Sequence, residues 1–324
     1  MDRRQFLGCG VAFAAAGNAL APRRAIAQAF PVRPVRVVVP FTAGGTTDFT
    51  ARVVCETMSR AAGHNFVVEN KPGAAGVIGV KDVAASEPDG YALLFSDSSL
   101  AVTPTTNPGA KLEPLKMLQP IGLAGIFPSV LVVHPSVPAR TVQELIDYTK
   151  ANAGKVNFGS GGIGTVPHLQ AEQFKLVTGA VITHVPYRGA AAALQDVVAG
   201  QIQMLFTAAP TALAFIQSGD LKLIATTGAE RLPVVADAPT LAEVGFKDLV
   251  SAQWFGMLAP AKTPADIVKR LTELMSGALN DGPTAKKLTD QGGIMKRGTP
   301  EDFARFIESE IAKWRDVIAA SKQK

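Results

Sequence analysis

Ser160 stands in Phe158-Gly159-Ser160-Gly161-Gly162, with His168 downstream, and a serine beside a histidine base is the minimum for acyl transfer. A nucleophile elbow would place glycine at position 158, where this chain has Phe158, and nearness in sequence does not make a triad. The same stretch spells G-x-G-x-x-G from Gly159 to Gly164, the pattern of a dinucleotide-binding turn. That reading needs an acidic residue about 20 positions on, at the end of the next strand, to hold the ribose hydroxyls. Val181-Ile182-Thr183-His184-Val185 supplies none, and Arg188 follows Pro186-Tyr187 in a turn. A plain structural turn stays open for this segment. So does a third chemistry, in which glycines bare backbone N–H groups at a helix start and bind an anion without a basic side chain.

A second segment has the same form. Val35 to Val39 is followed by Pro40-Phe41-Thr42-Ala43-Gly44-Gly45-Thr46-Thr47-Asp48, and helical spacing begins at once. Two such helix starts facing one cleft would grip a small carboxylate from both sides, with Asp48 serving as a cap or loop organiser. Phe41 and Tyr187 each follow a strand, where they either face a ligand or pack the strand end. Metal binding has little support, because His64, His134, His168 and His184 are scattered, and His168 with Glu172 is a lone i, i+4 pair. No Gly-x-x-x-x-Gly-Lys-Ser/Thr string occurs, which excludes a P-loop.

The elements that position these loops follow from the apolar pattern. Strands are expected at 35–39, 66–69 and 91–95, with helices after the first two. The same grammar restarts with strands at 129–133, 156–158, 181–185, 202–206 and 221–226. Helices are expected from the Thr141 capping box to about Ala151, over 166–178 and over 190–199. A strand at 254–258 precedes helix starts at Thr263-Pro264, Pro283 and Thr299-Pro300-Glu301. Alternating strands and helices predict a parallel α/β sheet. The expected organisation is two α/β lobes, 28–127 plus 250–324 and 128–249, with chain crossings near Phe127 and Gln253 that form a hinge.

Arg3-Arg4-Gln5-Phe6-Leu7, a short small-residue apolar run and Ala25-Ile26-Ala27 read as a cleavable export signal of twin-arginine flavour over residues 1–27. The run is too short for a membrane anchor, and no apolar region precedes the lipoprotein-like Cys9. Without the signal, 297 of the 324 residues remain, with 28 basic against 26 acidic side chains, a net +2 in place of +5. A nucleic-acid footprint therefore disappears. Cys55 is left without a disulfide partner and is expected in the core, so the exported chain must rely on its apolar interior.

VVVPFTAGGTTDFTAR, VVENKPGAAGVIG, PDGYALLFS, LVVHPSVPART, NFGSGGIGTVPHLQAE, HVPYRGAAAALQDVVAGQI and WFGMLAPAKTP occur in that order. Together they resemble the Bug family of periplasmic solute-binding proteins, the receptors of tripartite tricarboxylate transporters, from Pro31 to the C-terminal helix. The resemblance implies a type II periplasmic-binding-protein fold, two α/β lobes around a hinged cleft that closes like a Venus flytrap. It implies a small carboxylate as ligand (a di- or tricarboxylate, an acidic amino acid or an aromatic acid) and the membrane components of such a transporter as partners. Carried onto this sequence, the binding positions are Phe41, Ala43, Gly44, Gly45, Thr46 and Thr47 in the first loop, and Ser96, Ser98 and Ser99 after the third strand. The second lobe would add Ser160, Gly161, Gly162, Thr165, His168, Tyr187, Arg188, Gly189 and Thr207. Thr207 stands where many relatives carry aspartate, which disfavours an amino-acid ligand and favours a simple or aromatic carboxylate. A monomer without enzyme activity, metal or cofactor is expected. Two other functions stay open, an accessory that binds the ligand for a sensor, and an exported hydrolase using Ser160 and His168.

Overall fold

The computed structural model describes residues 30–321. The expected export signal lies outside them. β1 (Val35–Val39) is a β-branched run in which every valine is fully buried, as a strand covered on both faces requires. Its successive residues enter opposite cores: Val37 packs with Val54, Phe255 and Leu271, whereas Val38 packs with Leu94, Trp254 and Phe303. The chain continues through α1 (Thr46–Ala62), β2 (Phe66–Asn70), α2 (Val77–Ala84), β3 (Ala92–Asp97), α3 (Ser99–Thr106), α4 (Pro114–Met117) and β4 (Leu118–Val133). Then come α5 (Val142–Ala151), β5 (Asn157–Ser160), α6 (Val166–Thr178), β6 (Thr183–Pro186), α7 (Ala190–Val198), β7 (Met204–Ala208), α8 (Ala209–Ser218) and β8 (Lys222–Thr226). β9 (Ala252–Pro260), α9 (Ala265–Asn280), α10 (Gly282–Thr289) and α11 (Pro300–Ser321) complete the described chain.

The strand order is β2-β1-β3-β9-β4-β7-β5-β6, with β8 also on β4. β1 is parallel to β2 and β3, and β5 is parallel to β6 and β7. The all-parallel expectation fails at the strands that link the two halves. β9 runs antiparallel to β3 and to Leu118–Pro128 of β4, and Ser129–Val133 of the same strand runs antiparallel to β7 and β8. β4 therefore changes partners at Pro128–Ser129, and β9 begins beside that point, where Ala252 pairs with Pro128. Helices cover both faces of each half. The second half has its own cores, one around Leu131, Phe158, Phe174 and Phe206 and one around Val130, Leu205 and Ala212.

Several local expectations hold. Thr141 caps α5 by accepting from the Glu144 N–H, and Glu144 in return accepts from Arg140 N–H at 2.7 Å. Pro167 lies in the first turn of α6. Cys55 is 2% exposed, and burial, slightly opposed by Arg52, pushes its thiol up to about 12. Among the described residues no helix is long and apolar enough to cross a membrane. Two strands begin two residues later than expected, β6 at Thr183 and β7 at Met204, and β7 ends at Ala208. Thr207 is thus inside β7, paired with Val130, and does not follow the strand as expected.

Candidate functional site

The loop between β1 and α1 is held by one carboxylate. Asp48, 4% exposed in the first turn of α1, accepts from Gly44 N–H at 3.0 Å, Arg52 Nε at 3.0 Å and Asn70 Nδ2 at 2.9 Å. Asn70 Nδ2 also donates to the Phe41 carbonyl, tying the loop to the end of β2. Burial alone would raise the Asp48 carboxyl, but the bonds from Arg52, Gly44 and Asn70 outweigh it and hold the group below its ordinary value. Gly44 takes φ +85°, the left-handed region that a side chain disfavours. Asp48 is the loop organiser that its position suggested.

Beside this loop is a narrow cavity of about 30 Å³, room for about one or two waters with the halves as they stand. Five helices begin at its wall. Gly45, Thr46 and Thr47 belong to the start of α1, Ser99 to α3, Thr165 and Pro167 to α6, Ala190 to α7, and Ala208 and Thr211 to α8. None of the five is capped by the side chain of its N-cap residue. First-turn N–H groups have no acceptor within their own helix, and aligned peptide dipoles put about half a positive charge at each such end. The lining contains no lysine, arginine or histidine among the described residues. The donors the lining offers an anion are backbone N–H groups and the side chains of neutral residues such as Thr46, Thr165, Thr207 and Thr211.

Residues of the two halves touch around this cavity. Thr42 N–H donates to the Arg188 carbonyl at 3.4 Å, and Thr46 N–H donates to Thr211 Oγ1 at 3.0 Å, with the two threonine hydroxyls 2.8 Å apart. A Cβ on Gly162 would come to 3.4 Å from Ala75 Cα, and one on Gly164 would overlap Thr106. At the wall, Gln253 Nε2 donates to Ser129 Oγ at the point where β4 changes partners.

The glycine segment 159–164 organises itself. Ser160 Oγ, fully buried, accepts from Gly162 N–H, while Thr165 Oγ1 donates to the Gly162 carbonyl. Gly164 N–H donates to His168 Nδ1 at 3.2 Å. Gly161 is the glycine left at the cavity wall. The ring against Ser160 is not His168 but His184, whose Nε2 lies 2.6 Å from Ser160 Oγ, because parallel pairing of β5 with β6 brings those strands side by side. His184 stacks on Phe158 and lies 4.2 Å from the His168 ring. Burial, with His168 and Lys175 nearby, lowers its pKa to about 4. Glu172 pairs with Lys175, and Ser160 Oγ is bonded to His184 and the Gly162 backbone, not to His168 as the hydrolase reading expects. Among the described residues no group of three potential metal ligands occurs.

Of the residues expected to bind, Phe41, Gly45, Thr46, Thr47, Ser99, Gly161, Thr165 and Thr207 line the cavity. Ala43 and Gly44 are exposed on the loop, Ser96 sits in β3 opposite Gly256, and Ser98 Oγ accepts from Trp254 N–H at 2.7 Å. Tyr187 donates its hydroxyl to Asp196 at 2.6 Å, and Gly189 faces Thr42. Thr42 and Asp97, which fall within the expected loops 41–47 and 96–99, also line the cavity, as do Pro167, Ala190, Ala208, Thr211, Gln253 and Phe255, which were not anticipated. Asp97 had a signal, since it stands among serines in Ser96-Asp97-Ser98-Ser99 at the end of a strand. Its Oδ1 accepts from Ser99 N–H at 2.9 Å and its Oδ2 from Thr47 Oγ1 at 3.0 Å. Burial pushes its carboxyl above the ordinary value, while Ser99 and Thr47 favour the ionised form.

A mixed sheet in two halves, with helix starts from both meeting at one cavity, defines a bilobal solute-binding protein. The chain belongs to the tripartite tricarboxylate transporter receptor family, whose family model matches residues 50–322. It is similar to BugT of Bordetella pertussis, 35% identical over 294 residues that cover 90% of each chain. Among solved structures it is similar to the periplasmic binding protein BugD, with 32% identity, a TM-score of 0.88, and 90% of this chain and 99% of that one covered. An R. palustris protein with adipate gives 32% identity and a TM-score of 0.87, over 90% and 98% of the two chains. MatC from Rhodopseudomonas palustris with bound malate gives 31% and 0.86, over 89% and 100%. The fold is that of the type II periplasmic-binding proteins.

Proposed function

We propose that this protein is a periplasmic receptor that captures a small carboxylate and delivers it to the membrane components of a tripartite tricarboxylate transporter. The observation that carries the reading is the convergence of five helix N-termini on a cavity lined by no cationic side chain among the described residues. Such a site stabilises an anion by dipoles and N–H groups and lets it leave without breaking an ion pair. The structures of relatives with adipate and with malate support a small carboxylate as the ligand. Phe41, Gly45, Thr46, Thr47, Ser99, Gly161, Thr165 and Thr207 are assigned to the ligand. Gly44, Ser160, Gly162, His168 and Gly189 are assigned to loop shape and to contact between the halves. The halves 28–127 plus 250–324 and 128–249 act as lobes that close on the ligand about β4 and β9. The mature chain is a monomeric binding protein without enzyme activity, exported through the twin-arginine signal at 1–27.

Thermal unfolding of the mature protein against a panel of carboxylates tests this. Ligand at about 100 times its Kd adds roughly 2.7 kcal/mol of stability, so at least one carboxylate is expected to raise the melting temperature clearly. A panel with no stabilising carboxylate refutes the reading.

A further inference from the structure

Asp97 is the one ionisable side chain among the described residues that line the cavity. Two of the five converging helix starts are already engaged by it, because Ser99 N–H belongs to the start of α3 and the Thr47 hydroxyl to the start of α1. Both carboxyl oxygens accept a hydrogen bond, the pattern of an ionised acceptor. The group cannot swing aside freely, since it is 7% exposed and its backbone pairs with Phe255 in the neighbouring strand. Thr207, which also lines the cavity, brings no second charge.

A fixed carboxylate inside an anion site divides that site. The starts of α6, α7 and α8, at Thr165, Ala190 and Ala208, remain for a ligand's anionic group. At the α1–α3 end an incoming anion meets a like charge of the protein's own in a poorly hydrated space, where repulsion is weakly screened. The Ser99 hydroxyl also bonds to the carboxylate, so three donors leave one of its four acceptor positions for a donor on the ligand. We propose that Asp97 is a specificity-determining residue that selects a carboxylate bearing a hydrogen-bond donor, a hydroxyl or an amine, at its far end and discriminates against a second ionised carboxylate there. This inference rests on the carboxylate-receptor reading above. It adds a polarity to the site, with the carboxylate at the α6–α8 end and the donor at Asp97.

Calorimetric titration at pH 7.5 with matched pairs tests it, using ω-hydroxy monocarboxylates and the corresponding dicarboxylates from three to eight carbons. The wild type is expected to bind the hydroxy acid of its preferred length at least tenfold more tightly than the dicarboxylate. Asp97→Asn keeps the shape and removes the charge, and is expected to shift that ratio at least tenfold toward the dicarboxylate. Asp97→Ala should shift it in the same direction, and ligand-free melting of both variants checks that they fold. A wild-type preference for the dicarboxylate, or a shift below threefold in both variants, overturns the assignment of Asp97 while leaving a carboxylate receptor standing. If no carboxylate of the series binds the wild type or either variant, the receptor reading itself fails and takes this inference with it.

Discussion

Gly189→Ala separates closure of the halves from folding of each half. Gly189 has φ 160° and ψ 161°, extended backbone that alanine adopts without strain, so the substitution does not disturb its own segment. An added Cβ would, however, lie 2.9 Å from Thr42 N and 3.4 Å from Thr42 Cβ, and would overlap the Thr42 hydroxyl. Thr42 is in the other half, and its N–H donates to the neighbouring Arg188 carbonyl at 3.4 Å. The two backbones must separate by roughly half an ångström, at the cost of overpacking, about 1–3 kcal/mol. They also lose a long hydrogen bond worth about 0.5 kcal/mol. The sum, about 1.5–3.5 kcal/mol, falls on the approached state alone and corresponds to a loss of about ten- to a few-hundred-fold in affinity. Calorimetric titration with a carboxylate that stabilises the wild type should show this loss, with ligand-free melting within about a degree of wild type. Wild-type affinity in the variant would refute the claim that the Thr42–Gly189 contact belongs to the binding-competent arrangement. So would a fall in ligand-free stability as large as the fall in affinity.

Other perturbations read single parts of the site. Asp48→Asn should lower stability by about 2–4 kcal/mol, because a buried charged acceptor of three bonds becomes a neutral amide. The folded Asp48 carboxyl lies below its ordinary 3.8, so its contribution is fully present above that pH and is lost as pH falls through the folded value. Urea melts of the variant should therefore show a flatter decline below about pH 4 than those of the wild type. His184 takes up its proton near 4 in the folded chain against 6.5 ordinarily, so protons bind the unfolded chain first and stability falls as pH drops from 6.5 toward 4. Comparing urea melts at pH 7 and pH 5, His184→Gln should remove part of that slope. Gly44→Val forces a β-branched residue into φ +85° and should cost about 1–2 kcal/mol of stability. At Gly161 an added Cβ meets only ordinary contacts, 3.5 Å to Ala190 N, so Gly161→Ala should fold normally while narrowing the cavity wall and weakening binding in the same titration.

Much of this architecture was legible because local chemistry and fold agree. The β-branched run Val35–Val39 and the glycines before Thr46 specify a buried strand, a tight turn and an open helix start, and the structure places all three there. The segment 118–128 reads as broken because Pro120, Gly122, Gly125 and Pro128 interrupt it. It nevertheless forms eleven of the 16 residues of β4, with register shifts at Pro120/Gly122 and Leu123/Gly125 where the pattern fails. α3 was invisible for a different reason. Residues 99–103 are all buried, so the helix has no polar face to create a period, and Pro104 sits inside it. Thr211, Gln253 and Phe255 lie in segments with no local motif and reach the cavity only through tertiary arrangement, as His184 reaches Ser160 only through the β5–β6 register. Loops that do their work through backbone leave a mark in glycine spacing. Residues delivered by strand pairing leave none.

The central claim is that a carboxylate is held in this cavity by helix N-termini and neutral side chains. A crystal structure of the mature protein with a stabilising carboxylate bound tests it most directly. The account predicts a carboxylate whose oxygens are within about 3 Å of backbone N–H groups or hydroxyls at the starts of at least two of α1, α3, α6, α7 and α8, with no lysine or arginine in contact. A carboxylate paired to a lysine or arginine side chain, or seated outside the cavity, would contradict it.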